Sequence, residues 1–98
     1  MLDFYLINDE QPKPTNPEQV KLEFITGLDA VTFNNLIHKG IIDARFDYYS
    51  DFRWSSKLVE QINSIVLKMN NSDSDINKLN LILNKALELK CGVLAYCD

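Results

Sequence analysis

Residues 20–40 read VKLEFITGLDAVTFNNLIHKG, and within this stretch a strand pattern is replaced by a helix pattern. Val20, Leu22 and Phe24 alternate with charged residues, which predicts a half-exposed antiparallel strand with these three side chains facing a core. Gly27 is expected to end the strand. A chain that changes from strand periodicity to helical periodicity in this way is typical of an α+β domain.

A helix is predicted directly after this strand. Asp29 can accept the free backbone N–H groups of a first helical turn, and Gly40 can adopt the left-handed conformation that commonly ends a helix, here near Lys39. The apolar residues of the segment share one helical face, which predicts that the helix packs one side onto a sheet. This face consists of Ala30, Phe33, Leu36 and Ile37.

Two further segments carry strand patterns. Apolar residues alternate along residues 2–7, which predicts a first strand. Residues 8–19 contain three prolines, which remove backbone donors and predict a surface loop. Residues 93–97 are apolar without alternation, so we expect a short strand that is covered on both faces or lies in mid-sheet and pairs with the first or the third strand.

Two helices are predicted in the second half of the chain. Ser55 or Ser56 is a suitable N-cap for one of them and Asp75 for the other, which Gly92 is expected to close. Residues 70–75 have the composition of a polar turn. The apolar face of the second helix is wide, which predicts contact with both the other helix and the sheet. The two faces are Leu58, Val59, Ile62, Ile65, Val66 and Met69, and then Ile76, Leu79, Ile82, Leu83, Ala86, Leu87 and Leu89.

Residues 41–54 fit two patterns. A strand would place apolar residues on one face, namely Ile42, Ala44, Phe46 and Tyr48. A helix would align Asp43, Asp47 and Asp51, and like charges at that spacing destabilise a helix by about 0.2–0.5 kcal/mol per pair. Because β-branched and aromatic residues are enriched here, we favour a third strand.

Together these segments predict the order β-β-α-β-α-α-β in a single domain over residues 1–98. The expected fold is α+β, with a small, mostly antiparallel sheet of about four strands and three helices packed on one side. A chain of 98 residues buries enough surface to fold without a metal or a disulfide.

The composition argues against several classes of function. The net charge of −4 and the scattered basic residues disfavour a nucleic-acid partner, because phosphate binding depends on clustered Lys and Arg. No apolar run approaches the roughly 20 residues that span a bilayer, and residues 1–4 lack the basic start of a secretory signal. We therefore expect a cytoplasmic protein without a membrane partner. Its Asn, Ile and Lys content suggests an AT-rich bacterial or phage source.

No cofactor or metal motif is found in the sequence. His38 is the only histidine, and helical periodicity places it away from the apolar face, so we expect an exposed or interfacial residue rather than a general base. Cys91 and Cys97 lie on different predicted elements and cannot complete a zinc site, which predicts buried thiols. The three glycines are isolated, so no phosphate-binding loop is predicted.

Asp73, Asp75 and Asn77 have the alternating spacing of a calcium-binding loop. Lys78 stands where such a loop requires a glycine, and the distal glutamate is missing. A helix-capping turn is therefore the better interpretation.

Residues 46–54 read FDYYSDFRW and contain five aromatic residues, two aspartates and an arginine. Tyr, Trp and Arg are frequent at interface hot spots because they combine a large contact area with a polar group. A structural interpretation, in which Phe46, Phe52 and Trp54 form core and the charges are solvated, stays open. The candidate partner-binding residues are Asp43, Arg45, Asp47, Tyr49, Asp51, Arg53 and Trp54.

The block FDYYSDFRWS at residues 46–55, following Gly40-Ile41-Ile42, resembles small bacterial proteins of the type found beside toxin genes, among which immunity proteins are common. The resemblance implies a small acidic inhibitor that occludes a toxin and is not an enzyme. The acidity of the chain is compatible with this.

We therefore expect a protein-binding module, an immunity or inhibitor protein whose acidic and aromatic surface covers a basic toxin or enzyme. One alternative is a homo-oligomeric structural subunit, such as a homodimer, because Leu81 lies off the apolar face of its helix. Another is a small hydrolase that uses His38 with a carboxylate from Asp43 to Asp51.

Overall fold

The computed structural model describes residues 1–14, 22–69 and 73–97. In these ranges the chain forms one sheet and three helices in the order β-β-α-β-α-α-β, so the predicted α+β class is confirmed. The strands are β1 (Leu2–Ile7), β2 (Phe24–Leu28), β3 (Phe52–Trp54) and β4 (Gly92–Cys97), and the helices are α1 (Ala30–His38), α2 (Ser56–Lys68) and α3 (Ser74–Leu89).

β4 lies in the middle of the sheet. The strand order is β2-β1-β4-β3, and every neighbouring pair is antiparallel. Leu2 of β1 pairs with Cys97, while Trp54 of β3 pairs with Val93. Residues 93–96 are buried, which confirms the prediction of a mid-sheet strand without alternation.

The helices pack on one face of the sheet. The main core joins inward side chains of all four strands to the apolar faces of the helices, and its fully buried members include Phe4, Leu28, Phe33, Trp54, Val59, Leu79, Leu83 and Ala95. A smaller cluster on the other face centres on Ile7, Leu94 and Tyr96. The Tyr96 hydroxyl donates a hydrogen bond of 2.7 Å to the carbonyl oxygen of Pro14, which holds Pro14 against this face.

β2 differs in position from the predicted second strand. It spans Phe24–Leu28 and runs through Gly27, so the prediction that Gly27 ends the strand is wrong. Leu22 precedes the strand and packs against the smaller cluster rather than the main core. Val20 lies outside the described residues.

A β-bulge changes the phase of β2. Phe4 pairs with Thr26 and Tyr5 pairs with Phe24, so Ile25 is an extra residue that reverses the alternation. As a result Phe24 is 52% exposed and contacts the Tyr5 ring instead of the core, contrary to prediction.

The helix caps follow the prediction at two of the three N-termini. Asp29 and Ser55 each accept a backbone N–H from the first turn of α1 and α2. α3 begins earlier than predicted, because the Oδ1 of Asp73 accepts a first-turn N–H at 2.8 Å. The prediction that Asp75 caps this helix is therefore wrong. The Asp75 carboxylate accepts a hydrogen bond from Lys39 instead.

α3 ends at a left-handed residue that is not the predicted glycine. This residue is Lys90, with φ of 54°. Gly92 belongs to β4, where a Cβ would overlap the carbonyl oxygen of Trp54. Gly92 is thus required by the close approach of β3 rather than by the helix end. Gly40 has φ of 76° and follows α1 as predicted.

The third strand is much shorter than predicted. Only Phe52–Trp54 pairs with the sheet, and turns occupy residues 43–50. Ile41 and Ile42 are buried at the end of α1, where both backbone N–H groups donate to the carbonyl oxygen of Leu36. The prediction of a strand from residue 42 is wrong because these apolar side chains are buried by a turn and not by strand pairing.

Candidate protein-binding site

Residues 43–50 form two consecutive turns with the same hydrogen bonds, which we call the double turn. In the first turn, the Oδ1 of Asp43 accepts a hydrogen bond from the N–H of Arg45 at 2.9 Å. The backbone carbonyl oxygen of Asp43 accepts one from the N–H of Phe46 at 3.1 Å. In the second, Asp47 accepts the N–H of Tyr49 at 3.1 Å and that of Ser50 at 3.1 Å. An aspartate commonly stabilises such turns by bonding the backbone two residues ahead.

The third aspartate at this spacing attaches the double turn to the sheet. The Oδ1 of Asp51 accepts the backbone N–H of Cys97 at 2.9 Å. The Oδ2 of Asp51 lies 3.7 Å from Lys13 Nζ, in the loop after β1. The spacing of four residues between Asp43, Asp47 and Asp51 therefore belongs to two successive turns and their attachment to the sheet, and not to one face of a helix.

Aromatic side chains fix the inner side of the double turn. The ring of Phe46 lies 5.0 Å from that of Phe52 and 6.0 Å from that of Trp54, between centroids. The ring of Tyr48 lies 6.0 Å from that of Phe33 on α1. Burial raises the pKa of the Tyr48 hydroxyl. Phe46 and Tyr48 thus pack against the core, as in the interpretation that gives the aromatic residues of this segment a structural role.

The alternate side chains of the double turn face outward. Tyr49 is 76% exposed, and its ring contacts that of Tyr48 at 5.1 Å. Arg45 is exposed, and its guanidinium carbon lies 4.8 Å from the ring centroid of Phe46. Asp43 and Asp47 are exposed as well. Five of the predicted residues, Asp43, Arg45, Asp47, Tyr49 and Asp51, therefore share this part of the surface.

Arg53 has a structural contact. Its Nη2 donates to the carbonyl oxygens of Asn8 at 2.7 Å and Asp9 at 3.0 Å, which holds the turn after β1. Asp9 in turn accepts hydrogen bonds from the hydroxyl and the backbone N–H of Ser56, and these lower the pKa of its carboxyl group. Arg53 thus connects β3 to the start of α2 through this turn.

Trp54 lies in the core at 0% exposure, so it does not present its side chain to a partner. Its rings contact those of Phe4 and Phe52. The indole Nε1 has no hydrogen-bond partner among the described residues.

A cleft of about 270 Å³ opens between the double turn and α2. Its lining includes the apolar side chains of Phe46, Ile62 and Ile65 and the polar groups of Asp43, Arg45 and Gln61. Neither Gln61 nor Ile65 is predicted from the sequence to belong to a site. Ile65 lies on the predicted apolar face of α2 but is exposed, and no local pattern indicates which segment faces it.

Three further candidate groups lie outside the double turn. His38 is exposed at the end of α1, and its side chain forms no ion pair with a carboxylate of the described residues. Cys91 and Cys97 are half-buried and are not joined in a disulfide, and burial raises the pKa of Cys91, which disfavours a reactive thiolate there. Within residues 1–14, 22–69 and 73–97, no group of three or more potential metal ligands is found.

The chain matches no family model, no curated protein and no solved structure. None of the helices in the described ranges combines the length and apolarity that crossing a membrane requires.

Proposed function

We propose that the chain is a protein-binding module of the immunity or inhibitor type, which uses the double turn to cover a basic surface of a toxin or an enzyme and is not itself an enzyme. The observation that carries the proposal is the position of Tyr49. Its side chain is 76% exposed, while its backbone N–H is already held by Asp47.

Pre-formed structure supports this proposal. Association is opposed by the ordering of loops and side chains, so a segment that is ordered before binding loses less free energy. Two aspartate-held turns, the aromatic contacts of Phe46 and Tyr48 and the bond from Asp51 to β4 order the double turn in the free protein. Tyr49 and Arg45 belong to the residue types that dominate binding hot spots.

The negative charge of the chain indicates that the proposed partner has a basic surface. The chain has a net charge of −4, and Asp43, Asp47 and Asp51 are exposed beside Tyr49. An acidic surface speeds association with a basic one and disfavours acidic competitors. Cytoplasmic location is part of the proposal, and Cys91 and Cys97, which are not joined in a disulfide, are compatible with a reducing compartment.

The test is affinity capture from a host lysate with the tagged chain and two variants. Tyr49→Ala removes the exposed ring of the double turn, whereas Leu81→Ala removes an exposed apolar side chain on α3. We expect one stoichiometric partner with the native chain and with Leu81→Ala. Its affinity for Tyr49→Ala should fall by roughly 30-fold, the size of a 2 kcal/mol hot spot.

Arg53→Ala is unsuitable here because it would release the turn at Asn8 and Asp9. Equal affinity of the captured partner for the native chain and for a folded Tyr49→Ala variant would contradict the proposed surface. Recovery of no partner at native expression levels would contradict the function itself.

A homo-oligomeric subunit is the second candidate. It is supported by the 59% exposure of Leu81 on α3. Light scattering at increasing concentration separates the two candidates, because a monomer throughout is incompatible with a structural oligomer.

A further inference from the structure

We propose that the cleft between the double turn and α2 receives an arginine side chain of the partner, and that its guanidinium replaces that of Arg45 on the ring of Phe46. The inference rests on the proposed function, since it names the side chain with which a basic partner engages the double turn.

The size and lining of the cleft fit one long side chain. Its volume of about 270 Å³ lies below the roughly 300–1,000 Å³ of sites for drug-sized ligands. Phe46, Ile62 and Ile65 provide apolar surface for the aliphatic stem of an arginine. Gln61 adds an amide oxygen that can accept a hydrogen bond from the guanidinium.

Arg45 shows that the ring of Phe46 already attracts a guanidinium group. The contact of 4.8 Å is a cation–π interaction. The Arg45 guanidinium forms no ion pair or hydrogen bond with any residue of the described ranges. Because exposed cation–π contacts are weak, a partner's guanidinium can displace Arg45 toward solvent.

Asp43 supplies the charge that would make the exchange favourable. Its Oδ1 is used by the backbone N–H of Arg45, while its Oδ2 accepts no bond from the described residues. A guanidinium in the cleft can therefore pair with this oxygen. Asp43 and Arg45 cancel in net charge, and Asp47 and Asp51 make the surroundings acidic, so a cation is favoured over an anion.

The test uses a small probe and does not require the partner. ¹⁵N-labelled protein is titrated with Nα-acetyl-L-arginine amide while backbone amide shifts are recorded. We expect saturable shifts at Asp43, Phe46, Gln61 and Ile65. The leucine and glutamate analogues, Nα-acetyl-L-leucine amide and Nα-acetyl-L-glutamate amide, should bind more weakly.

Three variants give the sign of the charge effect. Asp43→Asn keeps a side-chain oxygen that can accept the N–H of Arg45. It should weaken binding of the arginine probe by roughly threefold, the size of an exposed ion pair. Glu88→Gln removes an exposed carboxylate on α3 that does not line the cleft, and it should leave the affinity within a factor of about 1.5. Arg45→Gln vacates Phe46 and should strengthen binding by roughly threefold.

The inference is overturned if the probe gives no saturable shifts, if the leucine analogue binds equally well, or if Arg45→Gln weakens binding. Weaker binding with Arg45→Gln and stronger binding with Asp43→Asn would identify an anion site instead. These outcomes leave the proposed function standing, because affinity capture with Tyr49→Ala tests it separately. If affinity capture recovers no partner but the probe binds as expected, the proposed function is contradicted while the arginine-binding cleft is supported.

Discussion

Lys39 Nζ lies 2.7 Å from the Oδ2 of Asp73, and this ion pair joins the C-terminal end of α1 to the N-cap of α3. The same amine lies 3.1 Å from Asp75, which also accepts a hydrogen bond of 3.0 Å from Asn35. One lysine therefore connects two helices that are far apart in sequence. The aspartates at 73 and 75 thus serve as a helix cap and as an ion-pair partner.

This ion pair predicts a specific dependence of stability on pH. The hydrogen bond from Lys39 lowers the pKa of Asp73. The contribution of Asp73 to the free energy of unfolding is therefore present above its unfolded pKa of about 3.9 and is lost as the pH falls through its folded pKa. The bonds from Asp73 and Asp75 raise the pKa of Lys39. Its contribution is therefore present below about 10.4 and is lost as the pH rises through the folded value.

We expect Lys39→Met to be less stable than the native chain at neutral pH, with a difference that narrows in acid. The pKa of Asp73 should rise toward its ordinary value in the variant. Urea unfolding across the acid range measures the first effect, and carboxyl titration by NMR measures the second. An unchanged pKa of Asp73 would show that the ion pair is absent in solution.

Gly92→Ala tests the close approach of β3 and β4. A Cβ at this position would overlap the carbonyl oxygen of Trp54, a backbone atom that cannot rotate away, so we expect a loss of about 3 kcal/mol or more in the free energy of unfolding, the upper end of what overpacking costs. Gly40→Ala is the control, because its Cβ would meet nothing within 4 Å and only its left-handed φ costs about 1–2 kcal/mol. Equal stabilities of the two variants would contradict the overlap.

Trp54 is expected to tolerate phenylalanine but not alanine. Its buried Nε1 has no partner among the described residues, and an unsatisfied donor costs about 1–3 kcal/mol, which Trp54→Phe removes while leaving a smaller ring. We therefore expect Trp54→Phe to lie within about 1 kcal/mol of the native chain, and Trp54→Ala to lose about 3–5 kcal/mol. Denaturant unfolding measures both. A large loss with phenylalanine would indicate that the indole N–H is bonded in solution.

Asp47→Ala should loosen the second turn without unfolding the domain. It removes the side-chain acceptor of the Tyr49 N–H, so hydrogen exchange at that amide should accelerate by roughly tenfold, the size of one hydrogen bond of about 1.4 kcal/mol. Global stability should change by less than about 1 kcal/mol because the position is exposed. Asp47→Asn retains an acceptor and is the control. Unaltered exchange in Asp47→Ala would show that Tyr49 is not held by this bond.

The helices could be predicted from the sequence because their determinants are local. Asp29 caps α1 and Ser55 caps α2 through bonds to residues three positions ahead, and the apolar faces follow the helical period. Asp75 was the exception. Its side chain is bonded to Lys39, 36 positions away, and no local pattern distinguishes a cap from a residue in the first turn that pairs with another helix.

The strands and the candidate site depend on contacts that are distant in sequence. Ile25 forms a bulge only in the register that β1 imposes, so Phe24 was assigned to the wrong face. The acidic and aromatic segment was identified from composition, but its division into an inner and an outer side follows from turns rather than from a strand. The cleft could not be predicted because Gln61 comes from another element.

The central position of β4 sets the order in which this domain can be assembled. A ribosome synthesises β4 after the other strands and helices described, yet β1 and β3 are joined in the sheet only through β4. Before that stage β3 has no strand partner, and the edge of β1 that later pairs with β4 is unpaired. The nascent chain therefore cannot complete its sheet stepwise. Long-range pairing of this kind is slow, and the open strands are accessible to chaperones or to other unfinished chains.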